Sequence, residues 1–259
     1  MRIDETILLA LSRQPDNRDS SGEPAGHAHA PEDPLAMLRH KYPDFHHLVW
    51  RKRVVDFGCG IGHQSVALVG TEECVVCGVD TNHRTLDKAM QYAKSQALPA
   101  GRLEFRERVS RDMGGTFDVV ISKDAMEHYP EPAAILEEMR RLLKPGGRLL
   151  ITFGPPWFAP YGSHMHFFCK VPWLNLLFTE RTVMAVRARF RDDGAKRYED
   201  CESGLNKMSV AKFERLVAAC GLKVEYRRYD CIKGLDFLGK LPLLRELFIN
   251  HVTATLAAP

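Results

Sequence analysis

The chain alternates short apolar runs with longer amphipathic stretches. RVVDFG (53–58), ECVVCGVD (73–80), RLEFRE (102–107), TFDVVISKD (116–124) and GRLLITF (147–153) are brief and rich in Val, Ile, Leu and Phe, which predicts strands. Between them, residues 62–69, 84–96 and 132–143 predict helices. In the last of these Ile135, Leu136, Met139, Leu142 and Leu143 share one stripe, and KPGG (144–147) supplies the Pro and Gly expected past a C-cap. Such alternation indicates a parallel sheet covered on both faces.

The rhythm breaks after Phe153 and resumes with a helix over 209–222 and a strand over 223–230. LLRELF (243–248) is a short amphipathic piece, and HVTATLA (251–257) completes a count of seven strands. Residues 1–12 are compatible with a short helix, whereas 13–34 combine Pro, Gly, Ser and charge with little to bury. The organisation expected is a mobile N-terminal tail (1–34), a core (35–153) and an insertion (154–208), with 209–259 completing the sheet. Spaced apolar residues in PLAMLRHKYPDFHHLVW (34–50) predict a cover over one side of the core.

Composition changes this picture little. With 45% hydrophobic and 27% charged residues the chain reads as an ordinary soluble globular protein. The formal charge of +3 comes from Lys and Arg scattered among acids, which argues against a nucleic-acid partner. No stretch approaches the roughly 20 apolar residues of a membrane span. Asp4 and Glu5 near the start do not suit a signal peptide. Seven cysteines, an odd number, suggest reduced thiols and a cytoplasmic location. Cys74 and Cys77 form a CxxC inside a strand pattern, where residues three apart face opposite ways. No second pair stands nearby at zinc-ligand spacing, so they are expected in the core and no metal site is expected. His27 and His29, in the tail, read as solvated.

The candidate chemistry begins at VVDFGCGIGH (54–63). A dinucleotide loop reads GxGxxG, but here the third glycine position is His63, and the Gly-Lys-Ser/Thr of a P-loop is also absent. Asp56 beside the loop would repel a pyrophosphate and favour an ammonium group, so the ligand expected is a positively charged nucleoside without phosphate. Asp80 ends the second strand, where a carboxylate can accept hydrogen bonds from both ribose hydroxyls. Its other reading is an N-cap for the helix that follows.

Over residues 50–153 the chain resembles the class I S-adenosylmethionine-dependent methyltransferases. VVDFGCGIG is similar to that family's first motif and VCGVD to its second. FDVVISKDAMEHY is similar to the fourth-strand motif, and LLKPGGRLLITF to the run into the fifth strand. The resemblance implies an α/β, Rossmann-like, seven-stranded and mostly parallel sheet with a reversed last strand and helices on both faces. It implies that S-adenosyl-L-methionine is the cofactor. Gly58, Gly60 and Gly62 would then admit its methionine half, Asp56 would hold the amino group, Asp80 the ribose, and Ser122 and Lys123 would border the methionine through their backbone. After the third strand the family often places an acid on the adenine. This chain has Val109 there, between Arg108 and Ser110, so adenine recognition is expected to use backbone groups.

The acceptor would be read by residues outside these motifs. The insertion carries Trp157, Phe158, Tyr161, Phe167, Phe168, Trp173 and Phe178. They read either as an apolar wall for a hydrophobic or aromatic metabolite or as a small core that packs the insertion on the sheet. GPPW (154–157) follows the fifth strand rather than the fourth, unlike the NPPY-type motif of adenine-N6 methyltransferases. His164 and His166 are the candidate bases, on the same side if their segment is extended. His128 reads as a loop orienter, and Asp124 as the acid nearest the methyl position. Arg181, Arg187, Arg189 and Arg191 read as a solvated face, as an anion-attracting run, or, with WLNLLF and LPLLRELF, as a peripheral membrane contact. The activity expected is methyl transfer to a small molecule, the alternative being a protein side chain or a lipid-like acceptor at a membrane surface.

Overall fold

The computed structural model describes residues 2–13, 32–201, 204–242 and 244–258. Its centre is one seven-stranded sheet in the order β3-β2-β1-β4-β5-β7-β6. The strands are β1 (Arg53–Phe57), β2 (Val75–Val79), β3 (Leu103–Arg106), β4 (Phe117–Lys123), β5 (Leu143–Phe153), β6 (Lys223–Cys231) and β7 (Ile249–Ala257). The first five run parallel, and β7 inserts antiparallel between β5 and β6. Because β7 is reversed, its first residues lie beside the last residues of β5, with Phe153 opposite Val252.

The helices are α1 (Ile3–Leu11), α2 (Ala36–Lys41), α3 (Phe45–Val49), α4 (His63–Glu72), α5 (His83–Lys94), α6 (Pro132–Leu142), α7 (Leu174–Leu177), α8 (Glu180–Arg187), α9 (Val210–Ala219) and α10 (Arg245–Phe248). The two-residue period of the strands divides the core. Val55, Cys77, Leu149, Ile151 and Val252 pack with Leu136 and Met139 of α6 and Phe213 of α9. Val54, Cys74, Ile121 and Leu150 pack on the opposite face with Leu38, Phe45 and Leu68 of α2, α3 and α4. Residues 34–50 thus form the expected cover, and Tyr42 is bolted there, its hydroxyl 2.9 Å from the Ile151 carbonyl and 3.2 Å from that of Ala254.

α6 stops before KPGG as expected, its C-cap being Leu143, and the chain passes directly into β5: Leu143 pairs with Phe117, and the register shifts before Val119 pairs with Arg148. The first residues, however, are not tail. Leu8 of α1 is fully buried among Met165, Phe168, Leu174 and Val183 of the insertion, and the Arg13 amide donates to the Phe168 carbonyl at 2.8 Å. An amphipathic helix that finds an apolar surface gains more from burial than a solvated tail can. The rest of the expected tail, including His27 and His29, lies outside the described residues.

Candidate active site

Gly58, Gly60 and Gly62 all take positive φ, of 81°, 53° and 79°. The reason is clearest at Gly62, the N-cap of α4, where a Cβ would stand 2.9 Å from both Ala89 Cβ and the Phe105 ring. Glycine alone turns there without strain or collision. At Gly60 a Cβ would meet nothing within 4 Å, so the loop has open space on its outer side.

Asp80 faces that loop. One carboxylate oxygen accepts from the Gly60 amide at 2.9 Å, and the other from the Asn82 amide at 2.9 Å. The N-cap of α5 is Asn82, whose side chain accepts from the Arg84 and Thr85 amides. Asp80 is therefore not the cap of α5; its carboxylate is half-buried at the edge of the glycine loop.

Asp56 differs from its expected place. It is buried at 1% exposure, and its two oxygens accept from Gln64 Nε2 at 2.7 Å and Ser65 Oγ at 2.6 Å. Burial pushes its carboxyl up to about 6, although the Ser65 and Gln64 hydrogen bonds oppose the rise. Both oxygens face α4, so Asp56 ties the helix to β1 and does not reach the open side of the loop.

The end of β4 supplies the next layer. Ser122 is buried and its Oγ lies 2.9 Å from Tyr129 Oη, which donates to the Phe57 carbonyl at 3.2 Å. This network locks the loop after β4 onto the end of β1. Lys123 is half-buried, and Asp124 follows at φ 49°. The Asp124 amide donates to the Thr152 carbonyl at 2.9 Å, and its Oδ1 accepts from Thr152 Oγ1 and pairs with His251 Nε2, both at 3.0 Å. Burial disfavours its charge, but the His251 hydrogen bond and charge, with Lys123 and Thr152, hold its carboxyl below the usual range.

Glu127 is buried at 3% exposure and accepts from the Gly154 amide at 3.0 Å. Burial raises its carboxyl to about 7, and its Oε2 has no hydrogen-bond partner among the described residues. Alongside lies a cleft of about 390 Å³ lined by Pro155, Tyr161, His164, His166, Lys170 and Asn250.

Residues 50–154 match the family model described as a methyltransferase domain. That part of the chain is a methyltransferase domain. Over 107 residues it is 32% identical to a ubiquinone biosynthesis O-methyltransferase of Acinetobacter baylyi, covering 39% of this chain and 43% of that protein. A protein of the same name from Paraburkholderia xenovorans is 34% identical over 116 residues, covering 44% and 49%. The aligned region thus spans under half the length of these curated relatives. Among solved structures, the [4+2]-cyclase SpnF superposes with a TM-score of 0.56 at 16% identity, covering 99% of this chain and 93% of that one. An S-adenosylmethionine-dependent methyltransferase from Mesorhizobium loti does so with 0.51 at 16%, covering 81% and 92%. At such identities the likeness is one of fold.

The methyltransferase domain fits its cofactor. The open space over Gly60 admits a ligand against the backbone, and the Asp80 carboxylate at the loop's edge suits a diol. Val109 is partly buried against the core, and Ser110 caps the 3₁₀ turn at Arg111–Met113, its carbonyl accepting from the Met113 amide at 3.3 Å.

The insertion is mainly a small core. Trp157, Phe167, Phe168 and Phe178 pack with Leu8, Met165 and Tyr198, and of the aromatics only Tyr161 lines the cleft. The His164–His166 segment is a turn, with the His164 amide donating to the Tyr161 carbonyl and φ 54° at His164. The imidazole facing His164 is that of His128, at a centroid distance of 5.5 Å, and not that of His166. Burial pushes His164 down to about 4, and His128 adds to the effect. His128 itself bonds the Gly204 carbonyl at 2.8 Å, which holds the loop after β4 against the insertion. Arg187 is neither solvated nor open to an anion: it is buried at 1% exposure and pairs twice with Asp193, at 2.6 and 2.5 Å.

Sequence reasoning passed over His251, Asn250 and Glu127. Glu127 lay visible in MEHY, but nothing in the β-prone run of β7 marked the two residues at its start. Only the reversed strand brings them to the ends of β4 and β5. Cys74 and Cys77 sit on opposite faces of the sheet, their thiols pushed up to about 12 by burial, as core cysteines should be. Among the described residues no cluster of metal-ligating side chains occurs, and no helix is long and apolar enough to cross a membrane.

Proposed function

We propose that this chain transfers a methyl group from S-adenosylmethionine to a hydroxyl of a small acceptor held in the cleft beside Pro155. The observation that carries the reading is that Asp80 after β2, Ser122 and Lys123 at the end of β4, the Asp124–His251 pair, and the cleft residues Pro155 and Asn250 all lie at the same end of the sheet. The cofactor supplies a methyl group already activated on a sulfonium.

The chain's own work is alignment and management of one proton. Asp80 and the glycine loop hold the nucleoside end, and Ser122 and Lys123 border the methionine. The Asp124–His251 pair receives the proton that the acceptor hydroxyl loses as its oxygen–carbon bond forms. Such acid–base assistance contributes about 10²–10⁴-fold. His166 contacts the acceptor in the cleft, and His164, uncharged at neutral pH, forms its wall. The curated relatives' names, O-methyltransferases of ubiquinone biosynthesis, favour an oxygen acceptor.

A second reading, a lipid-like acceptor presented at a membrane surface, draws on the exposed Leu176, Leu177, Phe237 and Leu241. The deciding experiment is calorimetric titration with S-adenosylmethionine and S-adenosylhomocysteine, followed by labelled methyl transfer into soluble phenols and into the same phenols in vesicles. No binding by folded protein overturns the proposal. Turnover only with vesicles selects the second reading.

A further inference from the structure

The groups that line the cleft include the cation Lys170 and no carboxylate. Its polar linings are Lys170, His166, His164, Tyr161 and Asn250. Lys170 and His166 are exposed, and among the described residues neither side chain has an ion-pair or hydrogen-bond partner. Neighbouring cations of the insertion are neutralised: Arg187 by Asp193, and Lys207 by Glu180 at 3.0 Å. Pro155 and the body of Tyr161 give the cleft an apolar side. Its volume, about 390 Å³, suits a ligand of one or two rings.

Resting on the methyltransferase reading, we infer that the acceptor is an anion, an aromatic or similarly flat body bearing a carboxylate or phosphate that Lys170 and His166 bind. The amide of Asn250 and the hydroxyl of Tyr161 are the neutral donors of the same site. Asn250 immediately precedes His251, so an acceptor anchored at Lys170 extends toward the Asp124–His251 pair. His164 completes the wall as an uncharged ring, its Nε2 3.3 Å from the Pro155 carbonyl, and so adds no second fixed cation. Charge-assisted bonds to such a group fix orientation as well as affinity.

The test is a binding titration on the full chain without cofactor, using 2-naphthoate and 2-naphthyl phosphate as anionic probes and 2-naphthamide as the neutral isostere. At about 50 mM salt at least one anion is expected to bind about 5–20-fold more tightly than the amide, and at about 500 mM the preference shrinks severalfold. Lys170→Gln and His166→Gln each reduce anion affinity about 5-fold and leave amide affinity unchanged, and Lys170→Glu abolishes the preference. Both positions are exposed, so loss of folding does not confuse the result. Naphthoate ahead of the phosphate assigns a carboxylate, and the reverse order a phosphate. Equal binding of anion and amide, no binding of either anion at millimolar concentration, or indifference to Lys170→Gln overturns the inference. Anion binding must also survive Asp80→Ala, so failure of the cofactor reading is seen separately.

Discussion

His251 Nε2 stands 3.0 Å from Asp124 Oδ1, reaching across β5 from β7 to the residue that follows β4. Thr152, on the strand between them, donates to the same oxygen. The pair is thus braced by three neighbouring strands. Asp124→Asn is expected to lower turnover about 10²-fold or more, and His251→Ala about 10–10²-fold, with S-adenosylmethionine affinity unchanged in both. Single-turnover methyl transfer beside calorimetry checks this. Equal losses in binding and turnover would make the pair structural.

Asp80 has a different signature. Asp80→Ala is expected to weaken S-adenosylmethionine and S-adenosylhomocysteine about 10–100-fold alike, the scale of a charge-assisted hydrogen bond. Calorimetry with both ligands reads it, and unchanged affinity would remove Asp80 from the nucleoside end.

Gly62 is expected to tolerate no side chain. Gly62→Ala forces a Cβ to 2.9 Å from Phe105 at φ 79°, costing about 1–3 kcal/mol in thermal denaturation. Adding Phe105→Leu relieves the collision but not the backbone strain, so only partial recovery is expected.

Glu127 makes stability depend on pH with a definite sign. Its carboxyl titrates at about 7 in the folded chain against 4.5 for the ordinary side chain. Between these values the unfolded chain has released a proton that the folded chain still holds. This contribution is therefore fully present below about pH 4.5 and is lost as pH rises toward and through 7. Glu127→Gln removes that term, and its melting temperature is expected to gain on wild type by roughly 3–8 °C between pH 5 and 8. A difference independent of pH would refute the assignment.

Arg187 tests the insertion's core. Arg187→Ala is expected to cost about 3–5 kcal/mol, because Asp193 loses its partner and a buried site is emptied. Chemical denaturation measures this, and an unchanged midpoint would restore the reading of Arg187 as a solvated cation.

Much of the fold was legible in local pattern. Short Val- and Ile-rich runs, an amphipathic stripe such as Ile135–Leu136–Met139, and the turn residues of VVDFGCGIGH are properties of neighbouring residues, and both strand faces follow from a period of two. The same locality made Gly58, Gly60, Gly62 and Asp80 stand out as a candidate site. Direction and partnership were not local. Asp56 follows the motif, yet Gln64 and Ser65 on the next helix take both its oxygens. The insertion's aromatics satisfied one another because Leu8, far away in sequence, helped to close a core around them. His251 reaches Asp124 only because β7 pairs antiparallel with β5, which brings the start of β7 to the ends of β4 and β5. The sequence by itself determined which segments form strands and helices and where the glycine loop lies, since those depend on spacing of a few residues. Tertiary structure alone decided that His251 meets Asp124 and that Leu8 closes the insertion's core, since those contacts join segments distant in the chain.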